Sequence, residues 1–372
     1  MQKNNFLAKT LQLELPLWTV IFPILGLLSL LTTGFLASSP LYALVLGGLL
    51  IAAVLSAVHH AEVIAHKVGE PYGTIILALA VTVIEVSLIV SLMLAEDPTQ
   101  PSYLARDTVF AAIMIILTGI IGICLLTGGF RYKEQRFITE GVSSALITLI
   151  AISVLTMILP NFTTSAANGE YSSTQLIFVA AISLLLYGGF ISMQTIRHRD
   201  YFLPENKEDE CIESKHAEPA NNATVICSFI LLIIALVGVI LLSKTLSPSI
   251  ESMVVSLGAP KSLVGIIIAT VILLPEGLAA YIAAKKDRLQ TSLNLALGSA
   301  LASIGLTIPA VAIVCYFTDM HAYLGLDGKS IVLLITSLSV VYVSLDSGKS
   351  NLQQGLVLIT LFFTYLFITV VP

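Results

Sequence analysis

The chain has 372 residues, of which 56% are hydrophobic and only 11% are charged, and its formal net charge at pH 7 is −5. Soluble proteins carry about 25% charged residues, so this composition excludes a soluble globular protein and gives no sign of a nucleic-acid partner. It indicates a protein that crosses the bilayer many times. The N-terminal stretch MQKNNFLAKT is polar and lacks a small-residue cleavage site, so we expect no removable signal peptide.

Apolar runs of the length that crosses a bilayer as a helix, about 20 residues, recur along the whole chain. We predict an all-α polytopic membrane protein with about 11 transmembrane helices, the second of which continues beyond the membrane through His59 to Val68. The spans lie near 17–36, 40–58, 72–95, 107–128, 142–160, 175–196, 223–243, 261–284, 291–317, 329–346 and 354–371.

The basic residues predict the orientation, because cytoplasmic loops carry an excess of Lys and Arg. With the N-terminus in the cytoplasm, only Arg106, Lys244, Lys261 and Lys329 lie in outward loops, and the other 14 of 18 face inward. We therefore expect a multi-pass protein of the cytoplasmic (inner) membrane with its C-terminus outside. The predicted partner is the lipid bilayer, and nothing in the sequence indicates an oligomer.

The longest break between apolar runs, RHRDYFLPENKEDECIESKHAEPANN, divides the chain. We predict an N-terminal tail and leading helix (1–38), a first five-helix repeat (39–196), an acidic cytoplasmic loop (197–222) and a second five-helix repeat (223–372). Because five is odd, the two repeats would be inverted, an arrangement that places the site of a secondary transporter near the bilayer midplane. The loop is either a flexible linker or a weak cation sensor.

Two carboxylates fall inside predicted spans. Glu85 and Glu276 each lie thirteen residues beyond the start of an apolar run, which at 1.5 Å per residue places them within roughly 4 Å of the span centre. Intramembrane carboxylates are costly and usually functional. The alternative is that each is protonated and hydrogen-bonds a neighbouring helix. With no Lys or Arg in the spans to pair with them, protons or a cation must neutralise the charges.

Further oxygen ligands would complete a cation site. Pro275 has no N–H, so the carbonyl of Val271 should lose its helical partner, and a tilt or break at Pro275 should bring the two glutamates close enough to share a cation. Other candidate ligands are hydroxyls, which are alternatively explained by helix packing: Thr82, Ser87, Ser299, Ser303 and Thr307. Two protons, one divalent ion, or one monovalent ion plus a proton would neutralise the pair, and oxygen ligands favour hard cations. No other cofactor is predicted.

A second group of titratable residues follows the second span. His59, Glu62 and His66 stand at helical spacing i, i+3 and i+7, and His60 is adjacent. Three interpretations remain open: a cytoplasmic proton path through His60, Glu62 and His66, interfacial packing, or the zinc site of an intramembrane metallohydrolase. The last would need a further ligand and lacks the HExxH pattern.

Two segments resemble a known family. LLPEGLAAYIAAKKDRLQTSLNLALGSALASIGLTIPAV is similar to the second α-repeat of the cation/proton exchangers of the calcium/cation antiporter superfamily, and VTVIEVSLI after GEPYG to the first. The nearest resemblance is to bacterial ChaA-type calcium/sodium–proton antiporters. It implies one extra helix plus two inverted five-helix halves, with Glu85 and Glu276 as the paired glutamates that bind Ca²⁺ or protons alternately. The family at large has Gly-Asn where this chain has Val81-Thr82 and Ile272-Leu273.

We therefore expect a transporter and not an enzyme. It would exchange cytoplasmic Ca²⁺ for external protons by alternating access. The alternative on the same fold is a Na⁺(K⁺)/H⁺ antiporter. The chain has fewer amide ligands than the family at large, which is compatible with a monovalent ion. A metallohydrolase is the remote alternative.

Overall fold

The computed structural model describes residues 15–32, 40–68, 72–94, 102–166, 169–203, 221–256, 258, 260, 262–318 and 320–371. Within these residues the chain forms eleven helices and one short pair of strands. The helices are α1 (Leu17–Ser29), α2 (Pro40–Val68), α3 (Tyr72–Met93), α4 (Leu104–Tyr132), α5 (Thr139–Phe162), α6 (Ser173–Arg197), α7 (Asn222–Ser256), α8 (Ser262–Lys285), α9 (Leu289–Thr318), α10 (Gly328–Leu345) and α11 (Leu352–Val370).

The eleven helices coincide with the eleven predicted spans, which confirms the predicted all-α polytopic fold. Nine helices of the described chain are long and apolar enough to cross a membrane, and two shorter apolar helices cover Leu17–Ser29 and Leu79–Met93. Large apolar side chains such as Phe178, Phe317 and Phe363 remain more than half exposed, as expected where lipid replaces water. The extension of α2 to Val68 is also confirmed.

Two helices differ from the expectation. The predicted seventh span ended at residue 243, but α7 continues to Ser256 with Pro248 inside it. Hydropathy locates the part of a helix that lies in lipid, whereas backbone hydrogen bonding continues into the polar residues beyond. Of the two alternatives predicted at Pro275, a tilt or a break, the break is absent, since α8 runs without interruption from Ser262 to Lys285, and the tilt stays a prediction. A proline inside a helix removes one hydrogen bond, and the surrounding packing keeps the helix whole.

The chain forms two compact units. The first covers residues 1–84 and 208–249 and includes α1, α2, the first part of α3 and most of α7. A hydroxyl and an imidazole group of α2 bind the same backbone carbonyl of α1: Ser56 Oγ and His60 Nε2 lie 2.6 and 3.1 Å from Thr19 O. The α7 helix packs on the same pair through Leu242, which lies beside Gly26.

The second unit covers residues 85–207 and 250–372. Its most deeply buried spans are α4 and α9, which share one apolar core with α5, α6, α8, α10 and α11. The α4 and α11 helices approach closely at Gly355, because a Cβ there would lie 2.5 Å from the backbone N of Leu126 and 3.0 Å from Gly122 O. Only glycine allows this approach, so the small residue fixes the distance between the two helices.

Three helices of the second unit contain π-helical turns: Ile115–Ile120 in α4, Val154–Ile158 in α5 and Met193–Arg197 in α6. Such turns leave the regular hydrogen-bonding ladder and are frequent near functional sites. The turn in α4 lies against α8, where Gly277 faces the side chain of Ile120. It therefore lies beside the residue that follows Glu276.

Two three-residue strands close one end of this unit. Strand β1 (Glu134–Arg136) follows α4, and β2 (Lys349–Asn351) precedes α11; they pair antiparallel with Gln135 opposite Ser350. The pairing joins two loops that are more than 200 residues apart in the sequence.

Candidate functional site

Glu85 lies in the middle of α3 and is 4% exposed. The hydroxyl of Ser303, from α9, donates a hydrogen bond to Oε1 of Glu85. Both side chains belong to the second unit. A hydroxyl can donate to a carboxylate and, when it rotates, accept or coordinate through its oxygen. The pair can therefore hold a proton or present two oxygens to a cation.

Glu276 lies on α8, directly after Pro275. Its Oε2 atom is buried and has no hydrogen-bond partner in the described part of the chain. The carboxylates of Glu276 and Glu85 are near enough for their charges to interact. No Lys, Arg or His of the described ranges forms an ion pair with either. An unpartnered buried carboxylate oxygen is expensive, so the arrangement suits a group that receives a proton or an ion.

Other candidate ligands occupy the neighbouring turns. Thr307 lies one turn beyond Ser303 on α9, is fully buried, and its hydroxyl has no partner among the described residues. Ser299 lies one turn before Ser303 and is partly exposed, as are Ser87 and Val271. Thr82, one turn before Glu85 on α3, is 3% exposed. The contact between Ser303 and Glu85 is thus a direct hydrogen bond between a candidate hydroxyl and a glutamate.

The histidine group of α2 divides between two environments. His60 is fully buried and held by Thr19 O, whereas Glu62 and His66 are exposed and close enough for their charges to attract each other. Residues 60 and 66 are separated by six positions, so they point to different sides of the helix. The proton path through these residues stays a prediction, with Glu62 and His66 as its accessible part. The described residues contain no group of three or more His, Cys, Asp or Glu side chains suited to a metal ion.

A cavity of about 440 Å³ lies at the end of the second unit that α9 reaches after Ser303. It is lined by Glu170 and by His321, whose Nδ1 lies 2.5 Å from Glu170 Oε1. Tyr171, also on its wall, donates a hydrogen bond to Leu155 O. Burial raises the pKa of Tyr171 to about 12, so the hydroxyl keeps its proton over the whole physiological range.

The chain is similar to known proteins over most of its length. Residues 38–196 and 227–371 match the family model described as sodium/calcium exchanger protein. The chain is 42% identical over 362 residues to the putative ionic transporter y4hA of Sinorhizobium fredii. The alignment covers 96% of this chain and 97% of that one. It is 35% identical over 352 residues to the sodium-potassium/proton antiporter ChaA of Escherichia coli, with 94% of each covered. The crystal structure of the H⁺/Ca²⁺ exchanger CAX superposes with a TM-score of 0.68 at 18% identity, covering 94% of this chain and 88% of that one.

Eleven apolar helices and two carboxylates within them, in a chain with such relatives, define a multi-pass cation transporter of the antiporter class. The chain belongs to the sodium/calcium exchanger family, and the resemblance drawn from its sequence is confirmed. ChaA and CAX are named as transporters, in agreement with the prediction of a transporter rather than an enzyme.

Proposed function

We propose that the chain exchanges cytoplasmic Ca²⁺ for external protons, with Glu85 and Glu276 binding Ca²⁺ and protons alternately. The observation that carries this proposal is the pair itself: Glu85 is buried, Glu276 has a buried oxygen without a partner among the described residues, and no basic side chain of the described chain pairs with either. Two negative charges in a buried site are balanced by two protons or by one divalent ion. A binding site that changes its access from one side of the membrane to the other only when neutral would therefore exchange one divalent ion for two protons.

The oxygen atoms around the two glutamates suit the binding of a hard cation. Ser303 already contacts Glu85, and Thr307 Oγ1 and Glu276 Oε2 are buried without partners among the described side chains. Ca²⁺ binds oxygen ligands, often in bidentate carboxylates and with waters in the remaining positions. Val271 O, Thr82, Ser87 and Ser299 are secondary ligands in this proposal. The two glutamates would be shared by two inverted five-helix repeats within residues 39–196 and 223–372.

A monovalent exchange is the second candidate. It is favoured by the identity of 35% along nearly the full length with an antiporter named for sodium, potassium and protons. Ca²⁺ takes 6–8 oxygens, whereas a monovalent ion needs less charge to balance it. One Na⁺ or K⁺ together with one proton would also neutralise the pair.

The proposed location is the cytoplasmic membrane, with the N-terminus inside and the C-terminus outside. The excess of Lys and Arg in the alternate loops supports this orientation. Under it, Ala284–Gln290 faces the cytoplasm and the cavity at Glu170 faces outward.

Proton flux in everted membrane vesicles tests the function. The vesicles would come from a bacterial host that lacks its own cation/proton antiporters, and a pH-sensitive dye would report the gradient. We expect Ca²⁺ to collapse an established gradient at lower concentration than Na⁺ or K⁺. A response to Na⁺ or K⁺ without one to Ca²⁺ would favour the second candidate, and no response to any of the three would contradict both.

A further inference from the structure

Gln135 is a buried polar side chain in the loop between α4 and α5, far along the chain from either glutamate. It is 2% exposed. Its Nε2 donates one hydrogen bond of 3.1 Å to Ala284 O, in the last turn of α8, and a second of 2.8 Å to Asp287 Oδ1. Asp287 stands in the turn that follows α8, with a φ of 62°. One amide group thus binds a carbonyl in the last turn of the helix, which also accepts from the backbone N of Asp287 at 3.2 Å, and the side chain of the turn beyond it.

The amide of Gln135 has little freedom. Its backbone is fixed by the pairing of β1 with β2, opposite Ser350. Behind the side chain lies Gly128, where a Cβ would fall 1.7 Å from Gln135 Oε1. The side chain therefore fits between Gly128 and α8 and is held on both sides.

The helix that Gln135 holds has a weak point next to its functional residue. Pro275 has no N–H, so α8 lacks the hydrogen bond to Val271 O in the turn that carries Glu276. The helix is nevertheless continuous from Ser262 to Lys285, with one hydrogen bond fewer between its two halves. The direction of the inner half, from Glu276 to Lys285, therefore depends in part on contacts at its own end, two turns or about 12 Å beyond Glu276.

Two further hydrogen bonds lie near this end of α8, one to α8 itself and one between the loop after β1 and the start of α9. Tyr132 Oη, which is exposed, lies 3.0 Å from Lys285 O. Gln290 Oε1, at the start of α9, accepts from the backbone N of Ile138 at 2.7 Å. Gln135 and Gln290 are both buried, and of the three side chains Gln135 is the one that binds both α8 and the turn after it.

We propose that Gln135 is a positioning residue for cation binding: it anchors the inner end of α8 so that the half-helix beyond Pro275 holds Glu276 toward Glu85. This inference rests on the proposed function of Glu276. Releasing the anchor should weaken cation binding, because the carboxylate would no longer be preorganised. It should leave the maximum rate nearly unchanged, because no group that contacts the ion is removed.

A pair of substitutions tests the anchor. Gln135→Glu keeps the shape but replaces the donor by a carboxylate, which faces Ala284 O and repels Asp287. Asp287→Asn keeps the Oδ1 acceptor, adds an amide donor, and suits a positive φ, where Asn is well tolerated. In the double variant the amide at position 287 can donate to the carboxylate at position 135. The double variant therefore exchanges the donor and the acceptor of the hydrogen bond between positions 135 and 287.

The readout is the KM for the driving cation and the maximum rate in vesicles. We expect Gln135→Glu to raise KM about tenfold, the size of effect seen when an outer partner of a metal ligand is lost. Asp287→Asn alone should stay within about twofold of wild type, and the double variant should recover most of the loss. A merely structural role would lower the amount of folded protein and leave the KM of the folded fraction unchanged.

Two outcomes would overturn the inference: an unchanged KM in folded Gln135→Glu protein, or a raised KM that Asp287→Asn does not lower. If Gln135→Glu does not fold, Gln135→Asn replaces it, because the shorter amide cannot reach Ala284 O and should also raise KM. Glu276→Gln, measured in parallel, separates the two proposals. If that variant transports normally, the proposed function fails; if it is inactive while Gln135→Glu is normal, only the anchor fails.

Discussion

The hydroxyl of Ser303 on α9 donates a hydrogen bond to the carboxylate of Glu85 on α3. The contact joins two helices at a point where both side chains are buried. It is the direct link between one glutamate and a hydroxyl that the sequence had offered as one candidate among several. A group that donates to a carboxylate also orients it, so Ser303 has a role whether the site holds protons or a cation.

Removing this hydroxyl should weaken cation binding. Hydrogen bonds to charged groups contribute about 1.5–3 kcal/mol, and about 1.4 kcal/mol corresponds to a factor of ten. We expect Ser303→Ala to raise the KM for the transported cation roughly tenfold, measured as cation-driven proton flux. Ser303→Thr retains the hydroxyl and should stay close to wild type. Equal KM values for the alanine and threonine variants would show that the hydroxyl has no part in binding.

The contact of α4 with α11 predicts a difference between two glycine substitutions. A Cβ at Gly355 would lie 2.5 Å from the backbone N of Leu126, whereas a Cβ at Gly188 in α6 meets nothing within 4 Å. Overpacking costs about 1–3 kcal/mol, so Gly355→Ala should lower the Tm in detergent by several degrees. Gly188→Ala should leave the Tm unchanged or raise it, because alanine favours a helix. Thermal unfolding of the two variants side by side is the measurement, and equal Tm values would contradict the close approach.

The two environments of the α2 histidines predict different effects on pH dependence. Histidine commonly exchanges protons near neutral pH, and His66 is exposed beside Glu62. We expect His66→Gln to shift the pH profile of transport with little change in the cation KM. His60→Gln should leave the profile in place, because the glutamine amide can still donate to Thr19 O. If neither variant shifts the profile, packing is the better explanation of this group.

The helices could be predicted from sequence because each is an apolar run of membrane length, and the two glutamates because they interrupt such runs. The hydrogen bond of Ser303 could not be singled out from Ser299 and Thr307, since all three lie within two turns of α9 and only packing decides which one faces Glu85. The extension of α7 to Ser256 was missed because polar residues end an apolar run without ending a helix.

The contacts made by the loops could be predicted from the sequence even less well. Strands β1 and β2 are the tripeptides EQR and KSN, which are too short and too polar to show alternation. Gln135 reads in sequence as an exposed loop residue, yet it is buried between Gly128 and the end of α8. The π-helical turns in α4, α5 and α6 have no sequence pattern that distinguishes them from ordinary helix.

The central claim is that Glu85 and Glu276 act as one unit that balances the charge of the load. Glu276→Gln keeps the size of the side chain but makes one half of the pair permanently neutral, so a divalent ion would leave a net positive charge in a buried site. Glu85→Gln should behave in the same way. Glu140→Gln, the same change at an exposed position at the start of α5, is the matched control.

The decisive measurement is Ca²⁺-driven and Na⁺-driven proton flux in vesicles that contain equal amounts of each folded variant. We predict that Glu276→Gln and Glu85→Gln abolish Ca²⁺/proton exchange, that any remaining activity is weak and monovalent, and that Glu140→Gln matches wild type. Wild-type Ca²⁺/proton exchange in either Glu276→Gln or Glu85→Gln would contradict the claim that these two carboxylates couple the ions.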